Sequence, residues 1–184
     1  METISELYKD LSSVLLTREQ IGDAVVKLGR RITADYRNKE PILVCILKGA
    51  AMFFSDLIRE IDLPLRTEYV ILSSYQDGVS STGRVRIVKD MDYNIENRDI
   101  IIVEDIIDTG LTLSTFKRTL EIRKAASIRI ATFLDKPYHR QADLSADYTC
   151  FQIPDAFVVG YGLDYAEKYR NLSVVGVLDP KIYT

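Results

Sequence analysis

Short apolar runs that have the character of β-strands alternate with helical segments along most of this chain. The run 41–47 (PILVCIL) precedes a predicted helix at 49–61, and the run 99–104 (DIIIVE) precedes another at 111–124. Near-continuous apolar strands separated by helices are typical of a parallel sheet covered by helices on both faces. The sequence therefore predicts an α/β fold with a mainly parallel sheet flanked by helices.

Capping and turn signals delimit the remaining predicted elements. The segment from Thr17 to Gln20 (TREQ) fits a capping box, so a helix should run from there to about Arg37. Three shorter strands late in the chain, at 147–153, 157–162 and 173–179, look too short and too closely spaced to join the same sheet. We expect them, with the N-terminal segment and about 136–172, to form a small hood over the C-terminal edge of the strands. Further strands are predicted at 67–75, 84–90, 127–135, 147–153, 157–162 and 173–179.

Bulk composition excludes several classes of protein. The chain has 184 residues, and we expect residues 1–184 to form a single domain. Its net charge is −3 and it has no basic tract, so nucleic acid is not an expected partner. The longest apolar stretch, 41–54, is interrupted by Lys48 and is too short to cross a bilayer, so no membrane association is expected.

Two further features indicate the compartment. The first residues, METISELYKDL, contain acidic side chains and no apolar segment, which argues against a signal peptide and favours the cytoplasm. Cys45 and Cys150 lie in apolar, strand-like runs. We expect both to be buried thiols, because neither has the neighbours of a disulfide framework or a zinc site.

Three carboxylates stand at a strand-to-helix junction where a phosphate site would be expected. Glu104, Asp105 and Asp108 follow an apolar strand, and Thr109 and Gly110 lead into a helix. Gly110 would let a ligand approach the backbone, and the first amides of the helix would be free to bind an anion. The segment lacks the spacing of a Walker loop and no Lys follows the Gly, which argues against an NTPase that transfers a γ-phosphate.

Glu104 and Asp105 would repel a phosphate, but they suit sugar hydroxyls and Mg²⁺, which takes oxygen ligands. A ligand with a phosphate, a diol and a metal-bound diphosphate satisfies both halves of the segment. 5-Phosphoribosyl 1-diphosphate is such a ligand. Because successive strand residues point to opposite faces, the two acids could hold the same atom only if the strand had ended before them.

The segment VEDIIDTG resembles the phosphoribosyltransferase signature. The segments LKGA, SSYQDGVSSTG, LDKP and DAFVVGYGLDYAEKYRNL are similar, in order, to those of hypoxanthine-guanine phosphoribosyltransferases, and the resemblance extends from about Leu16 to Leu178. It implies the type I phosphoribosyltransferase fold and a purine salvage enzyme. The implied reaction is Mg²⁺-dependent transfer from 5-phosphoribosyl 1-diphosphate to N9 of hypoxanthine or guanine, giving IMP or GMP plus diphosphate. It also implies a homodimer or homotetramer, and the apolar helix 50–58 is a candidate interface.

The resemblance further implies roles for the residues of the central motif. Asp108 would be the catalytic base at purine N7. Glu104 and Asp105 would contact the ribose diol and Mg²⁺. The 5′-phosphate would be bound by Asp108, Thr109, Gly110, Leu111 and Thr112.

Diphosphate would be bound by Lys48, Gly49 and Arg170, with a cis peptide bond between Leu47 and Lys48. Asp164 would lie near a second metal ion and the purine 2-position.

Purine recognition is implied for a second group of residues. Lys136 would bind the purine O6, Phe157 would stack on the base, and Val158 would present its backbone to the base edge. Ser74 and Tyr75 would form a lid over the reacting centre.

Simpler explanations exist for several of these residues. Asp108 could cap the following helix, Lys48 and Lys136 could be ordinary lysines at strand ends, and Phe157 could belong to the core of the hood. His139 is the only histidine and lies in a polar loop, so we expect it at the surface without a catalytic role.

Two other functional classes compete with this interpretation. The first is a regulatory protein on the same fold that senses phosphoribosyl diphosphate and binds nucleic acid; the absence of a basic tract argues against it. The second is a transferase for orotate, uracil or adenine. The segments LDKP and FVVGYGLDY favour a 6-oxopurine instead.

Overall fold

The computed structural model describes residues 3–74 and 85–184. The strands that it describes form two separate sheets. The helices are α1 (Ile4–Leu7), α2 (Arg18–Asp35), α3 (Ala51–Arg59) and α4 (Leu111–Ile122). The strands are β1 (Leu11–Leu16), β2 (Ile42–Leu47), β3 (Arg66–Ser74), β4 (Val85–Lys89), β5 (Asp99–Ile107), β6 (Ser127–Asp135), β7 (Tyr148–Gln152), β8 (Val158–Val159) and β9 (Val175–Leu178).

The larger sheet has six strands in the order β4-β3-β2-β5-β6-β7. Strands β3, β2, β5, β6 and β7 run parallel to one another, and β4 pairs antiparallel with β3 at one edge. The mainly parallel sheet that the alternation of strands and helices predicts is therefore confirmed. Parallel strands place their carboxyl ends on one rim, where ligands bind in open α/β sheets.

Strand β5 shows how the sheet divides the core. Ile101 and Val103 pack in one cluster with residues of α2 and α3, whereas Ile100 and Ile102 pack in another with residues of α4. Side chains alternate between the two faces of a strand, so an unbroken apolar run fills both layers. Such a strand is buried on both faces, so its residues are apolar until the strand approaches the rim, where Glu104 and Asp105 follow.

The capping box at the start of α2 is confirmed. The backbone N–H of Gln20 donates to Thr17 Oγ1 over 3.3 Å, and the N–H of Thr17 donates to Gln20 Oε1 over 2.9 Å. The helix ends at Asp35, two residues before the predicted Arg37.

Helix α3 uses its apolar side chains inside this chain. Phe53, Phe54 and Leu57 are completely buried, and Met52 is the large apolar side chain of this helix that stays exposed. The apolar character of 50–58 therefore reflects packing against the sheet and gives no separate support for an interface there.

The smaller sheet is the hood, with the strand order β1-β9-β8, all antiparallel. Its own cluster contains Val159, Tyr169, Leu172 and Leu178. The Tyr169 hydroxyl donates to Asp10 Oδ2 over 2.8 Å. The hood therefore joins segments from opposite parts of the chain.

The predicted composition of the hood is wrong for one strand. Strand β7, which the sequence assigned to the hood, pairs in parallel with β6 in the larger sheet, with Ala131 opposite Tyr148. Tyr148 is completely buried, so this short strand has enough apolar contact to serve as a sheet edge. Strand β9, one of the late short strands expected in the hood, does belong to it, although it lies past the approximate limit of residue 172.

Both cysteines are free. Burial raises the pKa of the Cys45 and Cys150 thiols to about 12, and the neighbouring carboxylates Glu104 and Asp105 add to the effect at Cys45. Among the described residues, no helix is both long and apolar enough to cross a bilayer.

Candidate active site

The junction between β5 and α4 forms a small anion cradle. Gly110 precedes the first helical residue, Leu111, with φ +76°, a left-handed conformation that glycine adopts without strain. The first amides of a helix have no acceptor within the helix, so they are available to a ligand. A cavity of about 150 Å³ lies here. Its lining residues are Glu104, Ile106, Ile107, Asp108, Thr109, Gly110, Thr112 and Leu113.

Asp108 lies at this cavity but does not cap the helix, because Gly110 occupies the N-cap position. The simpler explanation for Asp108 is therefore wrong. Its side chain is half-exposed, and its Oδ1 lies 3.1 Å from His139 Nδ1.

Glu104 and Asp105 lie on opposite faces of β5. The strand does not end at Glu104, as its predicted limits implied, but continues to Ile107. Glu104 lines the phosphate-sized cavity, whereas Asp105 faces Gly49 on the other side of the sheet. The alternation breaks immediately afterwards, since Ile106 packs with the α3 side and Ile107 with the α4 side. The two acids therefore serve separate parts of the site.

Burial governs the ionisation of both acids. It raises the pKa of Glu104 well above its ordinary value, and the charge of Asp105 raises it further. Glu104 Oε2 is buried and has no hydrogen-bond partner among the described residues. A buried carboxyl oxygen without a protein donor is costly unless a ligand hydroxyl or a cation approaches it.

Asp105 is packed directly on a glycine. A Cβ atom at Gly49 would lie 1.5 Å from Asp105 Oδ2, so any other residue here would force the Asp105 carboxylate to move. Burial raises the pKa of Asp105 to about 6, against the opposing effect of the Ile106 N–H, which donates to Oδ1 over 2.7 Å. The positive charge of Arg170 also opposes the increase, and Asp164 adds to it.

The loop after β2 contains the predicted cis peptide bond, between Leu47 and Lys48. Lys48 is exposed, and its Nζ lies 2.9 Å from Glu167 Oε2 in the hood. The hydrogen bond from Lys48 lowers the pKa of Glu167. Lys48 thus points across the rim of the sheet towards the hood.

Arg170 contacts the carboxylate of Glu167, which also binds Lys48. Its guanidinium lies 2.7 Å from Asp164 Oδ1 and 3.3 Å from Glu167 Oε1, and it donates to the carbonyl of Gly162 over 2.9 Å. Lys48 and Arg170, both predicted to bind diphosphate, therefore share Glu167 as a partner. The structure brings these two cations together with Asp164.

A glycine contact joins the hood to the loop after β2. Gly162 has φ +102°, and a Cβ atom there would lie 2.1 Å from the carbonyl oxygen of Gly49. Any side chain at residue 162 would push the two loops apart. This contact holds Asp164 and Arg170 of the hood close to Lys48 and Asp105.

The residues predicted for purine recognition lie around the end of β6 and the start of β8. Lys136 is mostly buried, with a side-chain exposure of 12%, and its Nζ lies 3.9 Å from Asp155 Oδ1. Val158 is buried in the hood. Phe157 is 40% exposed, so part of this residue is accessible to a ligand.

Phe157 also stacks on Tyr183, with ring centroids 4.8 Å apart, and meets the edge of Tyr165 at 5.7 Å. Sequence reasoning assigned no role to the segment around Tyr183. Its contact with Phe157 depends on how the last strand of the hood returns to the site, which local pattern does not reveal.

The contacts that His139 and Arg140 make near Asp108 were not predicted. His139 is exposed, as expected, but its imidazole lies between Asp108 and Asp155, 3.0 Å from Asp155 Oδ2. Arg140 donates from Nε to the carbonyl of Asp108 over 3.1 Å and forms an ion pair with Asp135. The signal in the sequence was the density of charged and polar residues after LDKP.

The two residues predicted to form a lid, Ser74 and Tyr75, lie at the limit of the described residues. Tyr75 lies outside the described residues, and of Ser74 the structure describes the backbone at the end of β3. Their predicted role therefore stays a prediction.

The described residues contain no group of three or more His, Cys, Asp or Glu side chains arranged to hold a metal ion. Mg²⁺ does not require one, since it usually takes one or two carboxylates and completes its shell with substrate oxygens and water. The unpartnered oxygen of Glu104 and the buried carboxyl of Asp105 are oxygen donors of the right type. The residues present therefore fit a Mg²⁺ ion held jointly with a substrate.

Similarities to known proteins cover nearly the whole chain. Residues 13–166 match the phosphoribosyl transferase domain family. The chain is 49% identical over 177 residues to the hypoxanthine-guanine phosphoribosyltransferase of Streptococcus thermophilus (strain CNRZ 1066), covering 96% of this chain and 98% of that protein. The protein of the same name from Bacillus subtilis (strain 168) is 50% identical over 174 residues, covering 95% and 97%. A crystal structure of a hypoxanthine phosphoribosyltransferase from Staphylococcus aureus superimposes with a TM-score of 0.96, at 49% identity, over all of both chains.

Proposed function

Because this chain belongs to the phosphoribosyltransferase family, and within it to the hypoxanthine-guanine phosphoribosyltransferases, we propose that it is a purine salvage enzyme. It transfers the phosphoribosyl group of 5-phosphoribosyl 1-diphosphate to N9 of hypoxanthine or guanine. The products are IMP or GMP and diphosphate. The observation that carries the proposal is the cavity at the β5–α4 junction, which lies at the first turn of the helix and has Asp108 in its lining.

Asp108 is the base of the proposed reaction. As the purine N9–C1′ bond forms and the bond from C1′ to the diphosphate oxygen breaks, the proton on purine N7 passes to a carboxylate oxygen of Asp108. A well-placed base contributes about 10²–10⁴ in rate. The half-exposed position of Asp108 leaves one side of its carboxylate open to a bound purine.

Lys136 selects the base. Its mostly buried ammonium donates to O6 of hypoxanthine or guanine and stabilises the negative charge that builds on O6 during the attack. Adenine has an amino group there and would leave this cation unpaired, which strongly disfavours it. Phe157 stacks on the purine, and the backbone of Val158 meets the edge of the base.

The phosphate groups of the substrate are held at two places. The 5′-phosphate binds in the cavity formed by Asp108, Thr109, Gly110, Leu111 and Thr112. The diphosphate binds Lys48, the backbone of Gly49 and Arg170. Arg170 and Lys48 exchange their shared partner Glu167 for the diphosphate, which is a better match for a planar guanidinium than a single exposed carboxylate.

The remaining acids complete the substrate site. Glu104 and Asp105 contact the ribose diol and a divalent metal ion, which we propose is Mg²⁺, and Asp164 lies near a second such ion and the purine 2-position. The bound metal would neutralise charge on the departing diphosphate. Ser74 and Tyr75 close over the site and keep water from the oxocarbenium-like ribosyl centre.

A spectrophotometric assay tests the proposal directly. With Mg²⁺ and 5-phosphoribosyl 1-diphosphate, we expect turnover of hypoxanthine and guanine, none of adenine, and loss of activity with EDTA that added Mg²⁺ restores. Xanthine, assayed alongside, ranks the 2-position preference. Tight binding of 5-phosphoribosyl 1-diphosphate without turnover of any base would contradict the proposal and favour a regulatory protein on the same fold.

Location and assembly form part of the same proposal. We propose that the chain acts in the cytoplasm, as the acidic N-terminal segment suggests, and that it does so as a homodimer or homotetramer. No nucleic acid or membrane is required as a partner.

A further inference from the structure

Phe157, the residue proposed to stack on the purine, belongs to a group of three aromatic rings. Its ring stacks on that of Tyr183, with centroids 4.8 Å apart and an interplanar angle of 27°. It meets Tyr165 edge-on at 5.7 Å, and the rings of Tyr165 and Tyr183 lie 6.2 Å apart. We call Phe157, Tyr165 and Tyr183 the three-ring cluster. Offset stacks and edge-on contacts at such distances are the favourable arrangements of aromatic pairs.

The three-ring cluster lies beside the lysine that would bind O6. Asp155, two positions before Phe157, has a carboxylate oxygen 3.9 Å from Lys136 Nζ. Phe157 is 40% exposed and Tyr183 is 37% exposed, so these two stacked rings do not form a closed core. Accessible aromatic rings beside a mostly buried cation suit a flat heterocycle that has a polar edge.

Backbone hydrogen bonds attach the segment before Tyr183 to the hood. The N–H of Leu178 donates to the carbonyl of Phe157 over 2.9 Å, and the N–H of Asp179 donates to the carbonyl of Asp10 over 2.8 Å. The end of β9 is therefore held directly against the backbone of Phe157.

A short turn then directs Tyr183 back towards the cluster. Asp179 caps the 3-10 turn Pro180–Ile182, because its Oδ1 accepts from the N–H of Lys181 over 3.0 Å. The N–H of Tyr183 donates to the carbonyl of Pro180 over 3.1 Å. None of these contacts involves the ring of Tyr183, so they remain when the ring is replaced.

Support from a second ring reduces the cost of stacking a ligand on Phe157. A side chain that is free to rotate loses that freedom each time it binds a ligand, and the loss weakens binding. Tyr183 stacks on Phe157 and Tyr165 meets it edge-on, so both restrict its rotation before a ligand arrives. Such preorganisation strengthens binding without any contact between the supporting ring and the ligand.

We propose that Tyr183 is a positioning residue for purine binding: its ring supports one face of Phe157, and the purine stacks on the opposite face. Tyr183 itself touches no substrate atom. Its effect is therefore confined to ligands that contain a purine. This inference rests on the proposed function, because it takes Phe157 as the residue that stacks on the base.

A comparison of two ligands separates this role from a general loss of structure. Calorimetry with Mg²⁺ present gives the dissociation constants of IMP, which contains a purine, and of 5-phosphoribosyl 1-diphosphate, which does not. In Tyr183→Ala we expect IMP to bind about three- to tenfold more weakly, which is the size of an aromatic pair contact, and 5-phosphoribosyl 1-diphosphate to change by less than about twofold. Tyr183→Phe keeps the ring and should bind IMP normally. Ile182→Ala, in the same turn and at a side chain of similar exposure, is the matched control and should bind both ligands normally.

A double substitution tests whether Tyr183 acts through Phe157. Phe157→Leu removes the ring that Tyr183 supports. In that background, Tyr183→Ala should weaken IMP binding by less than about twofold more, because two residues that act through one contact are not additive. A full additional loss would show that Tyr183 acts by another route and would overturn the inference.

Nuclear magnetic resonance reports the stack without any turnover. The chain has six phenylalanines, and the ring signals of Phe157 are those that disappear in Phe157→Leu. We expect these signals to move in Tyr183→Ala, because the ring current of the stacked tyrosine is lost, and to move when IMP is added to the unchanged protein. Phe157 signals that stay in place in Tyr183→Ala would overturn the inference.

The possible failures are distinguishable. If the unchanged protein turns over hypoxanthine but Tyr183→Ala binds IMP as tightly as before, the inference is overturned and the proposed function stands. Tighter binding of IMP by Tyr183→Ala would also overturn it, since Tyr183 would then occupy the place of the purine. If the unchanged protein neither binds IMP nor turns over any purine, the proposed function fails and this inference fails with it.

Discussion

At the scale of single residues, Glu104 and Asp105 show how adjacent acids can do different work. The strand carries Glu104 into the phosphate-sized cavity and Asp105 against Gly49. Burial raises the pKa of both. Neither arrangement favours the folded chain by itself, because an ionised carboxylate loses water on burial. Such a cost is expected at a site where a ligand supplies the missing partners.

The pH dependence of stability should reveal the cost at Asp105. Its pKa in the folded chain is about 6, above its ordinary 3.8, so its contribution to stability is complete below about pH 4 and is lost as the pH rises through 6. Without ligand or metal, Asp105→Asn should therefore raise the free energy of unfolding at neutral pH by roughly 1–2 kcal/mol. Thermal melts at several pH values check this, and the gain should vanish near pH 4. An unchanged or lower melting temperature at pH 7.5 would contradict the account.

Asp108 offers a separate test of chemistry against binding. Asp108→Asn keeps the size of the side chain but removes the proton acceptor, so kcat should fall at least about 10²-fold. The dissociation constant of IMP, measured by calorimetry, should change far less. Asp143→Asn, at an exposed acid nearby, is the matched control and should keep normal turnover. Near-normal turnover in Asp108→Asn would remove it from the role of base.

At the scale of elements, the contact between Gly162 and Gly49 sets the distance between the hood and the larger sheet. Residue 162 has a left-handed φ and no room for a Cβ atom, since the nearest obstacle is the backbone carbonyl of Gly49. Backbone atoms cannot turn aside as a flexible side chain can. The relative placement of Lys48 and Arg170 depends on this contact.

Gly162→Ala should therefore destabilise the chain by roughly 1–3 kcal/mol and weaken binding of 5-phosphoribosyl 1-diphosphate. Gly22→Ala is the matched control, because Gly22 lies within α2 and nothing approaches its missing Cβ within 4 Å. That change should raise stability by about 0.5–1 kcal/mol through helix propensity. Melting temperatures and calorimetric affinities for the two variants would decide the matter. Equal behaviour of both variants would contradict the proposed role of the glycine contact.

The elements also show where local pattern suffices. The capping box at Thr17 and the apolar runs of β2, β5 and β6 could be identified because their signals lie within a few residues. The strand β7 could not be assigned, because membership of a sheet depends on pairing with β6 rather than on its own five residues.

The candidate site likewise has parts that a short segment of sequence predicts and parts that it does not. The cradle around Gly110 was predictable from one short segment. The position of His139 between Asp108 and Asp155 was not, because it needs the turn at His139 to fold back on Asp108 and also needs Asp155 from the loop after β7.

At the scale of the whole molecule, assembly is the property to measure. The chain has a mass of 21.0 kDa, and most of the apolar surface of α3 is already used inside it. We expect sedimentation at micromolar concentration to give a dimer or tetramer, as the family resemblance implies. A monomer alone at that concentration would contradict the proposed assembly.

The pairing of β1 with β9 has a consequence for biosynthesis. Ser12 Oγ donates to the carbonyl of Val177, 165 positions later along the chain. All strands of the larger sheet leave the ribosome before β9 does. That sheet can therefore begin to form while β1 has no partner to pair with. The small sheet over the site closes only after β9 has emerged. During synthesis, the larger sheet and most of the phosphate-binding loops can therefore fold well before the chain is able to act on a purine.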